Sequence, residues 1–157
     1  MVTVTRNFSL SIHTTIGFKD CLAFLKQSLF REGFQIIAEV PFHRAFEKYL
    51  GLRENDYVVL IVWNPFQAYR ALLADRDAGL LVPFHLVVAD EGKLTRVTAP
   101  NHDSIGSRAG SIVIEVLARD LNKQVWQIFA ELAAEEKLEV NLRVQEAKKL
   151  LQHVRVS

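Results

Sequence analysis

Tyr57-Val-Val-Leu-Ile-Val-Trp63 is a nearly unbroken apolar run, and Gly79-Leu-Leu-Val-Pro83-Phe-His85-Leu-Val-Val88 is a second one. Runs of this kind are typical of strands that are buried on both faces. Asn64-Pro65 and a short amphipathic segment separate them. The stretch therefore predicts a strand at residues 57–63, a helix at 66–75 and a strand at 80–89.

The N-terminal part of the chain shows two further periodicities. Residues 2–14 alternate between apolar and polar side chains, which predicts one strand with a solvent-facing side. Residues 18–32 carry apolar side chains at helical spacing and are followed by Gly33, which predicts a helix with a glycine stop. A strand at 34–40 and a short helix before Gly51 complete this half.

The C-terminal part begins with a hairpin and ends in helices. Residues 90–93 form a predicted turn that pairs residues 94–98 with the preceding strand. A polar loop is predicted at 99–110, and a long helix at 111–137. Residues 138–141 are expected to interrupt this helix, with Asn141 capping a last helix. One continuous helix is the alternative, because no glycine or proline enforces the break.

Together these elements predict an α+β fold of the two-layer sandwich type. We expect a mostly antiparallel sheet of about five strands with helices packed on one face, a long C-terminal helix and an extra terminal helix. At 157 residues the chain is most simply a single domain, residues 1–157. Pro83 lacks an amide hydrogen and is therefore expected at an edge or a bulge of the sheet.

Composition narrows the classes of function. The formal net charge is +1, without the basic excess that nucleic acids or a polybasic membrane anchor require. No apolar run reaches the roughly 20 residues of a membrane-spanning helix. The single cysteine, Cys21, cannot form an internal disulfide, and the N-terminus has no signal-peptide pattern, so we expect a cytoplasmic protein.

Several features follow one another in a characteristic order. They are Gly33-Phe34, Phe42 with Leu50-Gly51, the apolar strand from Tyr57, Asn64-Pro65, and Gly79-Leu80-Leu81-Val82-Pro83. In this order the chain resembles a bacterial and archaeal family, named domain of unknown function 302, over residues 1–135. Residues 138–157 then look like a helical extension. The resemblance implies a fold related to the TATA-binding protein and implies no activity.

The chain departs from the family pattern at two positions. Members of the family often carry a cysteine before Asn-Pro and another after the strand proline, where this chain has Trp63 and Phe84. Thiol or metal chemistry based on those cysteines is therefore excluded here. The histidines also lack metal-ligand spacing, so we predict no metal site and no cofactor.

Four residues are candidates for a ligand site: Asn64, Tyr69, His85 and Glu39. Asn64 either caps the following helix or lines a pocket at the strand end, and capping explains it unaided. His85 lies in a strand and either faces water or pairs with a carboxylate such as Glu39. Tyr69 belongs to a set of aromatic residues that either fill the core or line a pocket.

Ser107, Arg108 and Ser111 precede the long helix and are candidates for anion binding. Backbone amides at a helix start, together with an arginine and serines, suit an anion. A plain flexible loop with a serine cap is the favoured interpretation, since glycine and serine clusters usually mark loops.

Two hypotheses of function follow. The first is a non-enzymatic domain that forms a homodimer, binds a small apolar ligand between sheet and helices, or does both. The second is an enzyme of unknown reaction with a site around His85, Asn64, Tyr69 and Glu39. We favour the first, because the sequence shows no nucleophile with a base, no paired carboxylates and no cofactor fingerprint. The apolar stripe of the last helix must be buried somewhere, and a partner subunit is one way.

Overall fold

The computed structural model describes the backbone of residues 2–156 and the side chains of residues 3–154. Its six strands form one sheet in the order β1-β2-β6-β5-β4-β3, and every neighbouring pair is antiparallel. The strands are β1 (Val2–Thr5), β2 (Ser9–Thr14), β3 (Gln35–Pro41), β4 (Tyr57–Trp63), β5 (Phe84–Asp90) and β6 (Thr95–Pro100). The predicted antiparallel α+β fold is confirmed, with one strand more than expected.

Five α-helices accompany the sheet. They are α1 (Phe18–Arg31), α2 (Phe42–Leu50), α3 (Pro65–Ala74), α4 (His102–Gly106) and α5 (Ile112–Val156), with a 3-10 helix at Arg76–Leu80. Asn64 and Pro65 begin α3 as the sequence predicted, and Gly51 ends α2 with a φ of 67°. A positive φ at this position favours glycine because a side chain would meet the backbone.

The main core lies between one face of the sheet and the two helices α1 and α5. Alternate residues of the central strands, Leu60, Val62, Leu86 and Val88, point to this side and are buried. Leu25 and Leu29 from α1, and Leu121, Val125, Phe129 and Leu132 from α5, pack against them. In β5, Phe84, Leu86 and Val88 are buried and His85 is exposed, so this strand is buried on one face and not on both as its apolar run indicated.

The opposite side of the sheet, which we call the open face, has much less cover. The short helix α2 lies against it, with the Phe42 ring 5.4 Å from the ring of Tyr57. Tyr57 alternates with the buried Val58 and pairs with Ala89 of β5, so both side chains lie on the open face.

The N-terminal prediction of one strand over residues 2–14 is wrong. The segment is a hairpin of β1 and β2, in which Val4 pairs with Ser11. The amide of Arg6 donates to the carbonyl of Ser9 at 2.8 Å and closes the turn. Phe8, assigned to the apolar side of the predicted strand, lies in this turn with 70% of its surface exposed. The alternation of apolar and polar residues continues across the turn, so the sequence pattern does not indicate where the turn lies.

The strand predicted at residues 80–89 begins later than expected. Residues 76–80 form the 3-10 helix, and β5 starts at Phe84, which pairs with Val62. The Asp75 carboxylate accepts a bond from the amide of Asp77 at 2.9 Å and favours the turn. Pro83 was expected at an edge or bulge; it precedes β5 instead, because a strand paired on both sides has no place for a residue without an amide hydrogen.

Two expectations for the C-terminal half also change. The polar loop predicted at 99–110 contains the end of β6 and the helix α4. The interruption predicted at 138–141 is absent from the described chain, and α5 is one helix of 45 residues. Asn141 is tolerated inside it, and an ion pair between Glu139 and Arg143 at 3.5 Å spans that turn. In the described part of the chain, no helix is both long and apolar enough to cross a bilayer.

Candidate functional site

A cavity of about 250 Å³ lies at the end of the sheet where β5 begins and β6 ends. We call it the end cavity. Its walls come from α3, the 3-10 helix, the segment before β5, α4 and the first turns of α5. The residues used below are Ala78, Val82, Phe84, His102, Leu117 and Leu121. The lining is mainly aliphatic and aromatic, the usual composition of a site for a small organic ligand.

The walls meet because α4 packs unusually closely on α5. A Cβ atom added to Gly106 would lie 2.4 Å from the Cβ of Ala118, so only glycine permits this approach. Ala71, Ala78, Ile114 and Leu117 form a small second core that also lines part of the cavity. The position of α4, and with it one wall of the end cavity, therefore depends on a glycine opposite an alanine.

Two asparagines hold the start of α4 in place. The Asn122 Oδ1 atom accepts a hydrogen bond from the backbone amide of His102 at 2.7 Å, and its Nδ2 atom donates to Asn101 Oδ1 at 3.2 Å. Asn101 Oδ1 also accepts from the amide of Ser104 at 3.4 Å. Asn122 is buried in α5, and these bonds satisfy both ends of its side chain.

His102 is the buried polar side chain of the end cavity, and His85, which also borders the cavity, is exposed. His102 is 5% exposed, and its ring meets the Phe84 ring edge-on at 4.8 Å between centroids. Both ring nitrogens, Nδ1 and Nε2, are buried and have no hydrogen-bond partner among the described residues. The nearby Asn122 amide is already engaged with the backbone and with Asn101. A buried polar group in this state costs stability, and a bound ligand or water would relieve it.

Burial also sets the charge of His102. It lowers the pKa of the imidazole from 6.5 to about 4, against smaller opposing effects of Asn122 and Asp103. The ring is therefore neutral at pH 7, with one nitrogen as a donor and the other as an acceptor. No lysine, arginine or carboxylate lines the end cavity within the described chain, so the site suits an uncharged polar group.

The four residues predicted for a ligand site lie apart. Asn64 caps α3, its Oδ1 accepting from the amides of Phe66 at 3.0 Å and Gln67 at 3.3 Å. Glu39 pairs with Lys26 at 2.5 Å at the edge of the sheet. Tyr69 is 62% exposed on α3. Of the four, His85 alone borders the end cavity in the part of the chain described.

The three residues predicted for anion binding have local partners or face solvent. The Ser107 hydroxyl donates to the carbonyl of Ser104 at 3.1 Å. The Ser111 hydroxyl accepts from the amide of Ile114 at 3.5 Å and so caps α5. The Arg108 side chain is exposed.

Sequence reasoning passed over the residues that form the end cavity. His102 was considered only for metal-ligand spacing, and Asn122 was not singled out. One signal was available, since Asn101 is a good N-cap and is followed by His102, Ile105 and Gly106 at helical spacing. The buried asparagine at position 122 had no local signal, because its partners are about 20 residues away.

Metal-ligating side chains and the Cys21 thiol are the remaining groups with possible site chemistry. Among the described residues, no group of three histidine, cysteine, aspartate or glutamate side chains is placed to hold a metal ion. Cys21 is fully buried in the core, and burial raises the pKa of its thiol to about 12. A thiol in this state is a poor nucleophile, because the reactive form is the thiolate.

The sheet, its two covering helices and the end cavity define an α+β domain with a mainly apolar cavity at one end of its sheet. Residues 10–132 match the family model described as "Domain of unknown function DUF302", and the chain belongs to this family. The region matched by the family model ends inside α5, so residues 133–157 lie outside the match.

One solved structure shares the fold over most of its length. It is described as "uncharacterized conserved protein DUF302 from Bacillus stearothermophilus", with a TM-score of 0.72 and 23% identity. The match covers 78% of this chain and 96% of that protein. No curated protein matches this sequence. The implied relation to the TATA-binding protein stays a prediction.

Proposed function

We propose that this protein binds a small, mainly apolar molecule in the end cavity, with one uncharged polar group against His102. The two buried, unpartnered ring nitrogens of His102 in a mainly apolar lining carry the proposal. A hydroxyl group suits them best, because it can donate to one ring nitrogen and accept from the other. A carboxylate is disfavoured, since a neutral imidazole leaves its charge unpaired in a buried site.

An enzymatic role for Asn64, Tyr69, His85 and Glu39 stays a prediction. Among the described residues, only His85 of the four lines the end cavity, and Asn64 and Glu39 have structural partners. Catalysis requires groups held within reach of one reacting atom. Binding in the end cavity needs no such convergence, and we therefore favour it.

The first experiment is native mass spectrometry of the purified protein, with a denatured control. We expect excess mass that disappears on denaturation and belongs to a small organic molecule. If the native protein carries no excess mass, it is titrated with octanol, octane and octanoate, and calorimetry measures the affinity of each. We expect octanol to bind most tightly, because it matches both the aliphatic walls and His102.

Two ring substitutions test whether ligand binding depends on the end cavity or on an exposed ring elsewhere. His102→Phe keeps the ring and removes the polar atoms, and we expect octanol affinity to fall about 10-fold to 100-fold. Tyr69→Phe, a matched control at an exposed ring, should leave affinity unchanged. Absence of octanol binding to the native protein, or equal binding by His102→Phe, would contradict the proposal.

A further inference from the structure

The last third of α5 leaves the domain. Hydrogen bonds from the amide and hydroxyl of Thr15 to Glu136, at 2.6 and 2.8 Å, connect the helix to the sheet side just before this segment. Every residue at positions 141–154 is exposed. Isolated helices of this length are marginal in water, and most helical stability in proteins comes from packing of an apolar face. Residues 141–153 are therefore exposed on a stretch of helix that packing would normally stabilise.

The projecting segment nevertheless carries an apolar stripe. Val140, Val144, Ala147 and Leu151 follow one another at alternating steps of four, three and four residues, which places them on one side of the helix. Val144 is 47% and Leu151 is 65% exposed. A stripe of this kind at such exposure is typical of a helix that packs against another surface.

A groove on the open face offers a surface of matching character. It has a volume of about 960 Å³ and runs between α2 with the following loop and strands β5 and β6. The groove is lined by Phe42, Phe46, Leu50, Leu52, Tyr57 and Val87, among others. Phe46 lies 6.1 Å from Phe42 between ring centroids, so the aromatic rings form one continuous wall.

The charges of the two surfaces are complementary. The groove carries four carboxylates, those of Glu54, Asp56, Asp90 and Glu91, against two arginines, Arg53 and Arg96. Residues 137–153 carry four basic side chains, Lys137, Arg143, Lys148 and Lys149, against two glutamates, Glu139 and Glu146. A surplus of acid on the groove and of base on the helix favours their association and penalises pairing of like surfaces.

Pairing of two projecting helices with each other fits less well. With Val144 and Leu151 at the a positions of a heptad, Arg143 takes a g position and Lys148 an e position. A parallel pair would then place Arg143 of one helix against Lys148 of the other. Like charges at these flanking positions disfavour the pair, and Ala147 at the core d position adds little apolar area.

We infer that two copies of this chain form a symmetric dimer in which residues 137–153 of each protomer lie in the open-face groove of the other. The contact is reciprocal, so each dimer contains it twice and both unpartnered surfaces are covered. Two-fold symmetry is the commonest arrangement of homo-oligomers. The end cavity lies on the other side of the sheet, between β5 and α5, and the inference does not depend on its ligand.

The test is sedimentation velocity of the full chain over a range of concentrations. The helix variant is Val144→Glu with Leu151→Glu, and the groove variant is Leu50→Glu with Leu52→Glu. All four positions are exposed, so the fold should survive, which circular dichroism checks. Leu73→Glu, at an equally exposed leucine outside both surfaces, is the matched control.

We expect the native chain and Leu73→Glu to form dimers. Either double variant should raise the dimer dissociation constant at least about 30-fold, because a buried unpaired carboxylate replaces an apolar contact. A mixture of the two variants should form a heterodimer, because the intact helix of the groove variant meets the intact groove of the helix variant.

Three results would overturn the inference. The first is a native chain that stays monomeric at every concentration. The second is a groove variant that still forms dimers while the helix variant does not, which would assign the contact to paired helices. The third is a mixture of the two variants that contains monomers only.

Discussion

At the scale of single residues, His102 stands out because its burial conflicts with its chemistry. The ring lies among aliphatic side chains and a phenylalanine, and neither nitrogen has a protein partner in the described chain. Buried polar groups are nearly always paired. Asn122, equally buried, shows the usual outcome, since each end of its amide is bonded.

Replacing His102 with phenylalanine should stabilise the ligand-free protein. The change removes two unsatisfied buried polar atoms and keeps a ring of similar shape, which we expect to raise the free energy of unfolding by about 1–2 kcal/mol. Urea denaturation at pH 7 measures it. Tyr69→Phe, at an exposed position of α3, should change stability by less than about 0.5 kcal/mol. A less stable His102→Phe protein would mean that the ring nitrogens already have partners.

The same residue predicts a dependence of stability on pH. Folding lowers the pKa of His102 from 6.5 to about 4, so between these values the unfolded chain binds a proton that the folded chain does not. Stability should therefore be greatest above pH 6.5 and fall by roughly 3 kcal/mol as the pH drops to 4.

The control for this pH effect is His102→Phe measured over the same range. Glu131 also has a lowered pKa, because a hydrogen bond from Ser28 favours its ionised form. At Glu136 burial raises the pKa, but the hydrogen bonds from Thr15 help to outweigh this effect and the net shift is downward. Their contribution is lost below about pH 4.5 in both proteins and cancels in the comparison. Parallel pH curves for the two proteins would exclude a buried neutral His102.

Asn64 has a structural role that a simple substitution can measure. Its side chain accepts bonds from two backbone amides at the start of α3. Asn64→Ala should lower the free energy of unfolding by about 1 kcal/mol, whereas Asn64→Asp should keep most of the cap. Chemical denaturation compares the two. Equal stability of Asn64→Ala and the native protein would contradict a capping role and reopen a ligand role for this residue.

At the scale of elements, the seating of α4 on α5 builds the end cavity. The contact depends on Gly106 facing Ala118, on the asparagine pair at the start of α4, and on the small core of Ala71, Ala78, Ile114 and Leu117. The sequence predicted a loop here, because a helix of five residues is too short to show a period. The cap at Asn101 was visible, but what α4 packs against was not.

Adding a methyl group at Gly106 tests this seating. Gly106→Ala brings its Cβ within 2.4 Å of the Ala118 Cβ, so α4 must move away from α5. We expect a loss of about 1–3 kcal/mol in unfolding free energy, with weaker octanol binding. Gly79→Ala is the matched control, since its Cβ meets no described atom within 4 Å. Equal effects of the two substitutions would show that the close contact is absent.

At the scale of the whole molecule, α5 has two different halves. Residues up to Glu136 cover the sheet and bury Leu121, Val125, Phe129 and Leu132. The segment beyond projects from the domain, and the family match has already ended at residue 132. The sequence predicted a break between the two halves. In the structure the helix is continuous, and only the burial of its side chains changes at this point.

Thermal unfolding should report this organisation. If the projecting segment joins two protomers, the Tm of the full chain rises with protein concentration, because association stabilises the folded state by mass action. A chain that ends after Asn141 should unfold at a Tm independent of concentration. A far-UV spectrum with intact sheet signal is its control. Identical concentration dependence in both proteins would show that residues 142–157 take no part in association.

The sequence by itself determined the α+β class, the strand Tyr57–Trp63, the cap at Asn64 and the family. Each of these depends on neighbouring residues, through a period of 2 or 3.6, a cap or a glycine stop. Only the tertiary structure decided the hairpin of β1 and β2, the burial of His102 and the groove on the open face. These features join residues far apart in the chain, such as Phe84 with His102 or Phe42 with Val87, and local periodicity carries no information about such contacts.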